Sequence, residues 1–363
     1  MKSILYITYD KENAASINTH NRAAALEALG FSVTIFVSNK NRLWELWLMM
    51  WKFSYTMVYI RIDGSCRLDL FTLLKIFHFY APVVWEIHGF YEENIPERYS
   101  RKRYVSSIIK NLKRKTLSSL VDGYVFVSEE LMAYAQTKLV HHTQTVIPNF
   151  QCSSQSVNKN VPYQGIRGLL RKGTYVVLWA GNGRYHWHAL DVIEKIARKI
   201  FTSDKHIYFI LISNHLWHSF TWRKNIIIMK SLPHEVLGSY IRDSNLCLAL
   251  YHKPKWCPFY FSPLKIIDYM MAKKPIIASA YGQIKSMIIN GKNGFITNEI
   301  EYMVQKILFL KKNKKIGDTV GNSGYRYVTG KRNLETATHL YRNFFISIKA
   351  IKSTQKLTKI SKS

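Results

Sequence analysis

The chain has 363 residues, of which 52 are Lys or Arg and 23 are Asp or Glu, so its formal net charge is +29. Hydrophobic residues make up 47% and aromatic residues 14%, with only 9 Pro and 17 Gly; such a chain can bury a sizeable core, which excludes a disordered or collagen-like polymer. At this length roughly two domains are expected.

The charge calls for an anionic partner: nucleic acid, an acidic lipid surface or a phosphorylated small molecule. No nucleic-acid-binding module is recognisable, so nucleic acid is set aside. Cys66, Cys152, Cys247 and Cys257 are scattered and form no C-x-x-C pair, which fits a reducing compartment rather than a disulfide framework or a cysteine zinc site. The opening MKSILYITYD has no leader pattern, and no run of about 18 apolar residues occurs. The expectation is a cytoplasmic protein, soluble or peripheral on the inner face of the plasma membrane.

Along the first half, strands are predicted at 4–9, 32–37, 56–61, 83–88 and 123–128, with VIPNF at 146–150 as the last. Helical patterns lie between them, notably 19–29, stopped by Gly30. NRLWELWLMMWKF at 41–53 puts Trp44, Trp47, Leu48 and Trp51 on one helical stripe. It is too short to span a bilayer; it is either a core helix or one whose indoles enter the headgroup boundary. RKRYVSSIIKNLKRK at 101–115 has seven basic residues and no acid, with Val105, Ile108, Ile109 and Leu112 on one side. The apolar side meets either the core or a membrane, and Arg103, Lys110, Lys113 and Arg114 are the candidate contacts to anionic lipid alongside Trp44, Trp47 and Trp51.

The Ser-, Asn- and Gly-rich stretch at 151–173 reads as the interdomain connection. A second alternating series follows, with strands at 175–180, 206–212, 225–230, 246–251 and 275–279 and helices at 189–201, 234–244, 263–272 and 334–348. The alternation predicts an α/β chain of two doubly wound parallel sheets, with ligands beyond the carboxyl ends of the strands, in the cleft between the halves. The expected organisation is 1–155, a connection at 156–173, 174–330, a returning helix at 331–350 and a basic tail at 351–363.

The most informative segment is FYFSPLKIIDYMMAKKPIIAS at 259–279. Ser262 is a good N-cap and Pro263 a good first helical residue. Lys265 then sits in the first turn, where the helix dipole disfavours a cation by about 0.3–1 kcal/mol. A diphosphate bound by the Lys265 ammonium and the first-turn amides resolves that conflict, and Asp268 could accept from ribose hydroxyls. The plain alternative is an exposed ion pair between Lys265 and Asp268 three residues apart.

This segment, with YGQIKSMIINGKNGFIT at 281–297, resembles the nucleotide-sugar motif of family-4 retaining glycosyltransferases of the GT-B fold. DGYVFVSEELMAYA at 122–135, VIPNF at 146–150, YVVLWAGNGRYHWHALDVIEKIA at 175–197 and IIIMKSLPHEVLGSYIRDSNLCLALY at 226–251 follow the family's order. The resemblance implies a nucleoside-diphosphate sugar donor contacted by Gly181, Gly183, Arg184, His188, Tyr260, Phe261, Ser262, Pro263, Leu264, Lys265 and Asp268. It also places His88, in VVWEIHGF, near the transferred sugar, so that Lys265, Arg184 and His88 are the candidate catalytic residues. Four positions depart from the pattern. Asn182 stands where Arg is common, His188-Ala189 where Lys-Gly is common, and Tyr260 where the first of two acids eight positions apart would fall.

No metal or other cofactor is implied; His141 and His142 lack the further ligands that a metal needs. The expected acceptor is a lipid-linked or other saccharide, as in assembly of a surface polysaccharide. A non-catalytic partner subunit that kept the fold is the alternative.

Overall fold

The computed structural model describes residues 2–8, 14–38, 43–52, 54–61, 81–90, 108–109, 112, 114–152, 166, 173–255 and 257–350. The chain divides into two compact units. The first comprises Met1–Cys152, Lys255–Ser262 and Arg332–Ser363, and the second Ser153–Pro254 and Pro263–Lys331. The predicted connection at 156–173 and the tail at 351–363 lie almost wholly outside the described residues, as do Arg103, Lys110 and Lys113.

The first unit is built on β1 (Ser3–Thr8), β2 (Ser32–Val37), β3 (Met57–Arg61), β4 (Val83–Ile87), β5 (Gly123–Phe126) and β6 (Thr143–Val146). All pair in parallel, in the order β2-β1-β3-β4-β5-β6. β1, β3 and β4 are almost wholly buried, and apolar apart from Ser3, Thr8, Arg61 and Glu86, because both faces of a parallel sheet are covered. VIPNF is not the last strand: β6 ends at Val146, and residues 147–150 run off its end. Helix α1 (Ala14–Glu27) closes with the Gly30 N–H on the Glu27 carbonyl at 2.8 Å. Gly30 has φ 86°, a conformation cheap only for glycine.

Helix α2 is Leu43–Lys52, and α3 is Glu129–Gln136, capped by Ser128, whose Oγ accepts from the Leu131 N–H at 3.1 Å. The core of this unit joins Tyr6, Leu26, Phe31, Tyr59, Val125 and Phe150 to Tyr341, Phe344 and Phe345. The last three come from a helix late in the chain, Leu334–Ser347.

The second unit is built on β7 (Tyr175–Ala180), β8 (Ile207–Ile212), β9 (Ile226–Met229), β10 (Leu246–Ala249), β11 (Ile276–Ala278) and β12 (Phe295–Ile296), again parallel, in the order β12-β11-β10-β7-β8-β9. The first strand after the connection is therefore central, and the chain winds outward from it to each side. Around the sheet are α4 (Leu190–Ser203), α5 (His234–Asp243), α6 (Leu264–Met271), α7 (Ile284–Met287), α8 (Ile300–Lys312) and α9 (Lys314–Lys331); α10 (Leu334–Ser347) belongs to the first unit. In α4 the residues Leu190, Ile193, Ile196, Ala197 and Ile200 are buried at the 3-4 spacing of an amphipathic helix. They meet Val177, Trp179, Phe209 and Leu211 in one core. Among the described residues no helix is long and apolar enough to cross a membrane.

Candidate donor site

β7 ends at Ala180, and the chain turns through Gly181-Asn182-Gly183-Arg184. The two glycines do different things. A Cβ at Gly181 would stand 2.7 Å from the Lys265 Nζ, so the missing side chain leaves room for the ammonium. A Cβ at Gly183 would stand 2.4 Å from the His215 carbonyl oxygen, and the Gly183 N–H already donates to Ser213 Oγ at 2.9 Å. Gly183 therefore packs the turn against residues 213–216, and its amide is spent; it is corrected from a phosphate contact to a packing glycine. Arg184 is exposed, with its N–H on Asn182 Oδ1 at 3.2 Å.

The start of α6 also differs from the sequence reading. The helix begins at Leu264, with Pro263 in the cap position and no side chain capping it. Ser262 is not the cap. It belongs to the first unit, where its carbonyl accepts from Asn149 Nδ2 at 2.8 Å. No side chain caps the first-turn amides of α6, the arrangement that favours an anion there.

Lys265 does not pair with Asp268. Its Nζ lies 4.4 Å from the centre of the Trp179 ring and 5.4 Å from that of Tyr251. The nitrogen is buried and has no hydrogen-bond partner. Burial alone pulls its pKa from 10.5 down to about 7. Asp268 instead turns to His234, the first residue of α5, at 3.7 Å. Next to Asp268, Tyr269 anchors α6 to β7, its hydroxyl accepting from the Ala180 N–H at 3.0 Å.

His188 lies in the same cluster. It is buried, its ring is edge-on to Trp179 with centres 5.3 Å apart, and its Nδ1 has no hydrogen-bond partner. Burial first and the neighbouring Lys265 charge second hold its pKa well below the usual histidine range, so it is neutral. Its carbonyl accepts from Trp217 Nε1 at 2.9 Å, which fixes the loop.

The structure thus brings Gly181, His188 and Lys265 together at the carboxyl end of β7, with Asp268 about a turn along the same helix. Residues 174–313 match the glycosyl transferases group 1 family. The matched segment contains β7 to β12 and every residue of this cluster.

The fold agrees with that match. A sucrose-phosphate synthase from Thermosynechococcus elongatus is 14% identical and superposes with a TM-score of 0.68 over 96% of this chain and 100% of that one. HepE of Anabaena, solved in complex with UDP-glucose, is 13% identical with a TM-score of 0.67 over 97% and 100%. A glycosyltransferase from Rickettsia africae is 17% identical with a TM-score of 0.65 over 97% and 99%. The two six-stranded parallel-sheet units therefore have the GT-B glycosyltransferase fold. In sequence, the trehalose synthase of Thermococcus litoralis is 29% identical over 79 residues, 22% of this chain and 19% of that protein. The chain spans about a fifth of the length of the curated relatives it matches.

The remaining predicted site residues lie in the first unit. Tyr260 is fully buried, stacked on Tyr134 with ring centres 5.5 Å apart, and its hydroxyl accepts from the Phe90 N–H at 3.0 Å. Its carbonyl accepts from Ser128 Oγ at 2.7 Å. Tyr260 is thus corrected from a sugar-facing side chain to a strut holding Lys255–Ser262 on the first unit. Phe261 is buried against it.

His88, just past β4, is set in a network that the sequence did not suggest. Its Nε2 meets the Glu86 carboxylate, and Arg61 Nε lies 3.2 Å from it. Glu86 is fully buried and pairs with Arg22 Nε at 3.0 Å; its other oxygen accepts from the Tyr59 hydroxyl at 2.7 Å. Tyr59 is in turn 2.8 Å from the hydroxyl of Tyr341 on α10. Burial raises the Glu86 pKa, but Arg22, His88 and Arg61 outweigh it and hold the carboxyl well below its usual range. A lone acid inside the apolar run VVWEI was the available signal, since a buried carboxylate demands a partner.

Of the surface predictions, Trp44 is 64% and Trp51 81% exposed, and Trp44, Trp47 and Trp51 stack in succession at 4.9 and 5.8 Å. Leu46 and Met50 form the buried side of α2. Ile108, Ile109 and Leu112 are exposed as well. Arg114 is not a lipid contact: it is 2% exposed and its guanidinium lies over the Phe90 ring at 4.2 Å. A long side chain from an amphipathic helix can fold inward to an aromatic face, which the linear charge pattern does not show.

Proposed function

We propose that the protein is a retaining glycosyltransferase of the family-4 type that moves a sugar from a nucleoside-diphosphate donor to a lipid-linked or other saccharide acceptor. The observation that carries this reading is the Lys265 ammonium, buried, without a hydrogen-bond partner, at the uncapped start of α6. A buried cation in that position is costly unless an anion joins it. In this reading the diphosphate takes the ammonium and the first-turn amides, Asp268 takes the ribose, and Arg184 closes over the phosphates. The leaving diphosphate then accepts the acceptor's proton in a front-face transfer, with its growing charge stabilised by this cradle and no metal ion. His88, oriented by Glu86 and Arg61, hydrogen-bonds the transferred sugar.

The stacked Trp44, Trp47 and Trp51, with the net charge of +29, support a peripheral place on an anionic membrane at its cytoplasmic face. Such a place suits lipid-linked acceptors in assembly of a surface polysaccharide. Thermal melts with UDP, GDP, ADP, CMP and their sugars test the donor reading. One nucleotide at a hundredfold its Kd is expected to add about 2.7 kcal/mol of stability, and Lys265→Ala and Asp268→Ala to abolish the shift. No shift with any of them overturns it. The use of Tyr260 as a strut, where the family's first acid would fall, favours the second reading, a non-catalytic partner. Donor hydrolysis without acceptor separates the two.

A further inference from the structure

We propose that donor binding is coupled to proton uptake: Lys265, set beside a neutral His188, is largely uncharged in the empty site above neutral pH and becomes cationic when a diphosphate enters. The inference rests on the donor-site reading above.

The geometry carries it. Two basic nitrogens from different elements, Lys265 Nζ on α6 and His188 Nδ1 in the loop after β7, are both buried and both without a hydrogen-bond partner. They sit in one aromatic cluster, Trp179 contacting both and Tyr251 packing on His188 at 5.4 Å and under the Lys265 ammonium. The side with no side chain is Gly181, where a Cβ would meet Nζ.

No counter-charge reaches the pair from the surrounding elements among the described residues. On α6, Asp268 turns to His234. At the end of β10, burial pushes the Tyr251 hydroxyl far up, leaving it neutral, and His252 beyond it is paired with Asp191 at 2.6 Å. In the loop, Arg184 is exposed and His186 half-buried. Tyr269 is also held neutral by burial.

An ammonium in this setting loses its hydration without gaining a partner, and burial brings it to a pKa of about 7. A diphosphate supplies both the missing acceptors and the missing charge, so it must raise that pKa on binding and draw a proton from solvent. An arginine here would stay charged in the empty site and bear the full desolvation cost; a lysine beside a neutral histidine avoids it.

The test is isothermal calorimetry of UDP-glucose at about pH 8 in three buffers of different ionisation enthalpy. Both phosphates of UDP-glucose are diesters that do not titrate near neutrality, so a buffer-dependent heat reports the protein. About one proton taken up per site is expected, since about nine-tenths of a group with pKa about 7 is neutral there. Uptake is expected to fall towards zero below about pH 6, and Kd to weaken about tenfold per pH unit above pH 7.5. Lys265→Arg is expected to bind with the uptake lost, and His188→Gln to bind with the uptake kept. The wild-type Kd profile tests the coupling even if Lys265→Arg does not fold. Binding with heats independent of buffer and a flat Kd profile overturns the coupling while leaving the donor site standing. If UDP-glucose does not bind, GDP-mannose and ADP-glucose are titrated in the same way; binding by none of the three between about pH 6 and 9 overturns the donor site itself.

Discussion

Replacing Lys265 with methionine is expected to stabilise the protein while abolishing nucleotide binding. The wild-type ammonium is buried with no hydrogen-bond partner, and a pKa reduced from 10.5 to about 7 corresponds to a folding cost on the order of 5 kcal/mol. Contacts with the Trp179 and Tyr251 rings return about 0.5–2 kcal/mol each to the charged form. Methionine keeps the length of the side chain, sheds the charge and gains sulfur–aromatic contacts. A net gain of about 2 kcal/mol or more at pH 7 follows, a rise in Tm of about 4–8 °C for a unit of this size.

The sign with pH is fixed by the direction of the shift. The folded-state pKa lies below the unfolded one, so the unfolded chain binds more protons between pH 7 and 10.5. Wild-type stability therefore rises through that window, and the advantage of Lys265→Met shrinks by about 1.4 kcal/mol per pH unit. Melts of both proteins from about pH 6.5 to 9.5 measure it, and subtracting the two curves removes the other titrating groups. A variant no more stable than wild type at pH 7, with a parallel pH profile, refutes the claim of a buried uncompensated ammonium.

Asp268→Asn is expected to weaken nucleotide binding by about tenfold, the cost of one charge-assisted hydrogen bond, with little change in Tm; competition between a nucleoside diphosphate and inorganic diphosphate places the loss on the ribose. Glu86→Ala strands Arg22 in the core and is expected to cost about 3–5 kcal/mol in urea unfolding. Gly183→Ala forces a Cβ onto the His215 carbonyl and is expected to lower Tm, whereas Gly181→Ala displaces only the Lys265 ammonium and is expected to lower nucleotide affinity more than Tm. Substituting Ser at Trp44, Trp47 and Trp51 together is expected to release the protein from anionic vesicles in flotation assays and to leave nucleotide binding unchanged.

Most strands were legible because parallel strands covered on both faces are rich in apolar residues; the two-residue β12 and the position of β6 were not. Tyr175–Ala180 and Ser32–Val37 match their predicted bounds, and most others differ by one to three residues at the ends. Lys265 was legible for a local reason, a cation in the wrong turn of a helix. Its surroundings were not. Trp179 and Tyr251 lie 86 and 14 residues away in sequence, and only the sheet order, which sets β10 beside β7, brings them to the ammonium. Arg114 failed for the converse reason: a basic residue in a basic run gives no hint that it turns inward to Phe90. Tyr260 was read as an altered sugar contact because its position was judged along the chain, whereas its partners, Phe90, Ser128 and Tyr134, come from another part of it.

The first unit is also discontinuous: it needs Lys255–Ser262 and the helix at Leu334–Ser347 as well as the first 152 residues. During synthesis the part made first is consequently the last to be finished. Until Tyr341, Phe344 and Phe345 emerge, the pocket formed by Phe31, Tyr59 and Phe150 stays open, while the second unit needs nothing after Lys331. A nascent chain would then carry an exposed apolar seam for much of its translation, the interval in which chaperones bind. Neither unit can be excised at a single cut. Exchanging one unit for that of a related chain requires splice points at 152, 254, 262 and 331, and a junction that ignores the last of these orphans the closing helix.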